Sequence, residues 1–146
     1  MNFKFDLSTI ATLIDWLKRF DGACEWQSPG QFLKETVCNK KIFVEKHLEM
    51  ELFEKICRYR KLIEFMLNSK SLPLDASLIV HLYLLVFFVS KSTIVVIFES
   101  LKKTFKDKDI KDLIDLIDDE QFAATLKQNE EGEVNKETIL GSLNEV

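Results

Sequence analysis

The chain has 146 residues, of which 47% are hydrophobic and 30% charged, and it carries a net charge of −4. That balance belongs to one folded domain able to bury roughly 68–70% of the surface its unfolded chain exposes, and it excludes an intrinsically disordered protein. With only 4 Gly and 2 Pro there is little material for tight β turns, so helices are favoured over strands, and 12 Phe point to a core built on large rings.

The opening MNFKFDLS lacks a basic start followed by a long apolar run, so no signal peptide is expected. Asp6 to Phe20 reads as an amphipathic helix, because Leu7, Ile10, Ile14 and Leu17 recur at helical spacing and Leu13 and Phe20 widen the stripe. Asp6 or Ser8 can cap its start by accepting a free backbone N–H. Gly22 is expected to end it in the left-handed conformation. Trp16 lies off the densest stripe and is read as a packing residue, with a contact anchor as the sharper alternative.

Ser28-Pro29 is a second helix start, with Ser as cap and Pro at the first helical position. Phe32, Leu33 and Val37 make a short helix stopping near Asn39, and Cys24 and Trp26 are expected to pack under the loop before it. Lys41 to Asn68 is the longest helical pattern. Leu48, Leu52, Ile56, Tyr59, Ile63 and Met66 form one continuous stripe along it. Lys55, Arg58, Arg60 and Lys61 cluster on this segment as an anion site or, more plainly, as a solvated face with Glu51–Lys55 and Glu54–Arg58 pairs.

Leu72-Pro73-Leu74-Asp75 breaks the chain, and Asp75 can cap the next helix. From Ala76 to Phe98 runs ASLIVHLYLLVFFVSKSTIVVIF, apolar on every side. Such a helix must be buried in a core or a membrane. A membrane span needs about 20 predominantly apolar residues. Here the first run stops at Val89, and the joined run carries Lys91 near its middle, so the segment is read as a core element. Ser90 to Thr93 is either a kink or a turn between two helices. His81 is expected to be a hydrogen-bonded core residue, since a metal site needs several converging ligands and His47 has none at ligand spacing.

Asp107 to Asp119 reads DKDIKDLIDLIDD. Ile110, Leu113, Ile114 and Ile117 mark its apolar side, and Asp112, Asp115 and Asp119 share another, extended by Asp118 and Glu120. A helix over Glu120 to Gln128 and a last short helix after Asn135 are expected beyond it. The turn between them, with Glu130, Glu131 and Glu133, has the composition of half a calcium loop. Setting Gly132 at loop position 6 puts Lys127 at position 1 and Thr138 at position 12, where calcium wants carboxylates, so calcium binding is rejected. Residues 107–146 hold 12 acids and 4 bases, net −8, whereas residues 1–106 hold 16 bases and 12 acids, net +4. That asymmetry is the strongest partner-related signal in the chain.

The expected fold is all-α: a single-domain bundle of about six to eight helices around a central apolar helix, or broken helix pair, over 76–98. Cys24, Cys38 and Cys57 are odd in number and form no Cys-x-x-Cys pair, which points to a reducing, cytoplasmic setting. Cys57 beside Arg58 could be a low-pKa thiol but sits one step from the apolar stripe, so a buried structural thiol is expected. There is no phosphate-cradling glycine loop, nucleophile elbow or His-Glu-x-x-His, and no metal or cofactor site is expected.

Without reaction chemistry, function is read from charge. The leading expectation is a small cytoplasmic inhibitor of the immunity-protein or antitoxin kind. It would cover a basic partner protein, such as a nuclease toxin, with Asp112, Asp115, Asp118, Asp119, Glu120, Glu130, Glu131 and Glu133. Nucleic acid and membrane are not expected partners. The alternative is a helical adaptor or chaperone that holds a partner helix in an apolar groove. A small enzyme using His81 or an Asp pair comes last.

Overall fold

A computed structural model describes residues 4–23, 27–37 and 45–117. Among them the chain is all-helical. Helix α1 spans Leu7–Asp21, α2 Pro29–Phe32, α3 His47–Ser69, α4 Ala76–Tyr83, α5 Ile94–Thr104 and α6 Asp107–Ile117. Two π-helical turns, Leu33–Val37 and Leu84–Phe88, extend α2 and α4.

The ends of the helices follow from side-chain chemistry. Asp6 caps α1 by accepting from the Thr9 N–H at 3.1 Å, and the Thr9 hydroxyl accepts from the Asp6 N–H at 3.2 Å, a reciprocal capping box. Ser28 accepts from Gln31 N–H with Pro29 at the first helical position, and Asp75 accepts from Leu78 N–H at 2.8 Å. Gly22, expected to be left-handed, ends α1 at φ −85°, where any residue fits. The left-handed position is Ser71, φ 55°, after α3. There Leu72 N–H reaches Leu67 O and Ser71 N–H reaches Asn68 O, both at 3.0 Å. This is a Schellman ending, with buried Leu67 and Leu72 at the two positions that pack together in that motif.

The core is organised around α4. Leu78 to Val86 are all buried, and α4 packs on α1, α3 and α5. Ser90 to Thr93 is a turn between two helices: Val89 is extended, and the Thr93 and Ile94 N–H groups close onto Ser90 O. The Thr93 hydroxyl accepts from Ser90 N–H and donates to Phe88 O, which satisfies backbone groups freed by the break. Of the α3 stripe, Leu52, Ile56, Ile63 and Met66 are buried, and Leu48 and Tyr59 are half-buried. The buried face is wider than that stripe, because Phe53 and Leu67 are also fully enclosed. Phe53 meets Trp16 and Phe20 from α1 and Phe32 from α2, with ring centroids 6.1, 5.9 and 5.6 Å away. Trp16 is thus a core residue.

Candidate functional site

The acidic face begins with the geometry of α6. Leu113, Leu116 and Ile117 are buried, Ile110 and Ile114 are half-buried, and the helix packs against α5. Asp107 and Asp109 occupy its first turn, where carboxylates complement the positive end of the helix dipole. With the apolar side turned inward, Asp115 is exposed and Asp112 partly so. Lys108 and Lys111 stand four residues before them, yet among the described residues neither aspartate forms an ion pair. The structure therefore carries Asp112 and Asp115, three residues apart, on a side of α6 that reaches solvent. Asp118, Asp119, Glu120, Glu130, Glu131 and Glu133 lie outside the described residues. So do the two helices expected after residue 119.

The basic cluster on α3 resolves into separate roles. Arg60 grips Asp21 at the end of α1 with both terminal guanidinium nitrogens, Nη2 to Oδ2 at 2.7 Å, and its Nε lies 3.8 Å from Glu64. Glu51–Lys55 forms at 3.8 Å. Glu54 and Arg58 do not reach ion-pair distance among the described residues. Arg60 is thus a strut between helices, and the cluster is no converged anion site.

His81 is fully buried and uses both ring nitrogens. Nδ1 lies 2.7 Å from the Ser77 carbonyl, which can only accept, so Nδ1 carries the proton. Nε2 then accepts from the Ser100 hydroxyl on α5, also at 2.7 Å. The Phe105 and His81 rings form a T-shaped pair, with centroids 5.0 Å apart. Burial holds the imidazole below its ordinary range, outweighing the Ser77 carbonyl and Asp75, which pull upward. A cation–π contact with Phe105 could favour the imidazolium by about 0.5–2 kcal/mol. That is less than the several kcal/mol of effective penalty for a buried ion. The ring is a neutral core residue, in keeping with its isolation in an apolar run.

Cys57 is half-buried, and burial pushes its thiol up to about 12 despite the nearby Arg60. It is a protonated structural thiol. Among the described residues no three His, Cys, Asp or Glu side chains gather where they could hold a metal ion. No helix among them is long and apolar enough to cross a membrane. A shallow, open depression of ≈ 340 Å³ lies between α1 (Ser8, Ala11, Thr12, Asp15, Trp16) and Lys46. It holds no nucleophile paired with a base. Sequence reasoning missed the Arg60–Asp21 strut and the His81–Ser100 bond, because residues 39 and 19 apart in the chain carry no local pattern linking them. Compared with known proteins, this chain matches no family model, no curated protein and no solved structure.

Proposed function

We propose that the protein is a small binding inhibitor, of the immunity-protein or antitoxin type, that covers a basic partner protein with an acidic helical face. The observation that carries this reading is α6. Its apolar side is committed to the bundle, and Asp112 and Asp115 reach solvent without ion-pair partners among the described residues. In the sequence, residues 107–146, to which α6 belongs, carry a net −8. Carboxylates left unneutralised by their own helix are available to a cationic cleft. Their summed field would steer a basic partner and reject acidic ones.

The test is capture from the native source at low salt, followed by a high-salt wash and identification of what elutes. A single basic protein released by salt supports the inhibitor, and its association rate can then be measured against Asp112→Asn/Asp115→Asn. The double variant should associate more slowly, with a shallower salt dependence, moving towards the ~10⁵–10⁶ M⁻¹s⁻¹ of unsteered encounter. Unchanged association would refute the acidic face as the contact. A partner that survives the salt wash, together with dye binding by the native protein, would instead favour the apolar-groove adaptor.

A further inference from the structure

We propose that the His81–Ser100 contact is an acid-sensitive latch that holds α5 against α4. Three geometric features converge on it. The contact joins two helices through a fully buried ring whose second nitrogen is already committed to the Ser77 carbonyl. Phe105, at the junction of α5 and α6, closes over the same ring. The hydroxyl-bonded turn at Ser90–Thr93 begins the segment that would move.

That segment is enclosed less than α4: α5 buries Ile97, Ser100 and Leu101 and leaves Ile94, Val96 and Phe98 half-buried against the core, whereas Leu78 to Val86 are enclosed throughout. Local openings are drawn from regions with few buried apolar contacts. In the closed form Nε2 is an acceptor. A proton there places a charge in the core and turns the Ser100 hydroxyl from donor to acceptor. Opening α5 gives the ring to water. Among the described residues, Asp75, the cap of α4, is the one charged group whose field reaches His81. No charged group of α1, α3, α5 or α6 has that influence, so among the described residues the imidazolium has no counter-ion other than Asp75.

The direction follows from linkage. The opened ring takes a proton near its ordinary pKa of about 6.5, whereas the closed ring resists it. Above that pH opening is independent of pH. Below it, opening is favoured by up to about tenfold per pH unit until the closed ring itself titrates. This mechanism does not depend on the partner proposed above.

Hydrogen exchange of the intact protein at pH 7.5, 6.5 and 5.5, corrected for intrinsic exchange, reads the latch directly. Protection of 94–104 should fall as pH drops below about 6.5, by up to about tenfold per unit, while that of α3 stays level. His81→Gln should abolish the fall, and His47→Gln should leave it intact. If His81→Gln fails to fold, an NMR titration of the wild-type imidazole replaces it, because loss of α5 protection must track protonation of His81. The latch is overturned if α5 protection is flat across this range, if α3 falls in parallel, or if His47→Gln removes the effect.

Discussion

Replacing Phe53 tests the packing of three helices at once. The ring is fully buried on α3 and meets Trp16, Phe20 and Phe32, contributed by α1 and α2. Burying a Phe side chain is worth about 1.5–3 kcal/mol, and each well-placed ring pair adds about 0.5–1.5 kcal/mol. With three such pairs, Phe53→Ala should destabilise by about 3–5 kcal/mol, the range of large-to-small core substitutions. A domain of this kind has a total stability of about 5–15 kcal/mol. The variant should therefore fold, with its urea midpoint lowered by roughly 2 M at a slope of about 2 kcal/mol/M. Urea denaturation followed by far-UV circular dichroism measures this. Phe65→Ala, on the same helix but 56% exposed, is the control and should change stability by no more than about 0.5 kcal/mol. Equal effects of the two substitutions would refute the convergence of α1, α2 and α3 on Phe53.

Asp75→Ala removes the cap of α4 and should cost about 1 kcal/mol by the same assay, whereas Asp75→Asn, which keeps an accepting oxygen, should cost less. Ser71→Gly should stabilise by about 0.5–1 kcal/mol, because φ 55° strains a residue with a Cβ, and Ser71→Val should destabilise. The Cys57 thiol, pushed up to about 12, has a thiolate fraction at pH 8 on the order of one in 10⁴. In a Cys24→Ser/Cys38→Ser background, its alkylation in the native protein should therefore be far slower than in urea. Comparable rates in the two states would show that the thiol is not held by the fold.

Features carried by local pattern are legible in the amino-acid sequence. Asp6, Ser28 and Asp75 cap helices because a short acceptor precedes an apolar period, and that requirement involves only three or four neighbouring residues. The near-continuous apolarity of Ala76 to Val89, interrupted by Ser77 and His81 alone, locates the core for a similar reason, since no side of such a helix suits water. Features that depend on tertiary partners are not legible in this way. Gly22 suits a left-handed ending, yet a tolerated conformation is not a required one. Ser71 takes it because packing Leu72 beside Leu67 needs the chain to turn there. The apolar stripe understates the buried face of α3, because one stripe suffices for a helix with one neighbour, and α3 packs against α1, α2 and α4. The π-helical turns depart from the 3.6-residue period of an amphipathic helix, so the pattern cannot announce them.

The acidic face differs from these in kind, because burial decides nothing about it. An exposed aspartate row has the same structure whether it meets a partner or only water, so a mutation must separate binding from folding. Helix α6 allows this, since its two sides do different work. Leu116→Ala withdraws a buried side chain that seats the helix and should cost about 2–5 kcal/mol. Asp112→Asn/Asp115→Asn alters carboxylates with no ion pair among the described residues and should leave the urea midpoint unchanged. If the double variant folds like the wild type yet loses a salt-sensitive partner, the face serves recognition. If it folds alike and keeps the partner, the row is a solvated face, and the charge asymmetry of the chain has another origin.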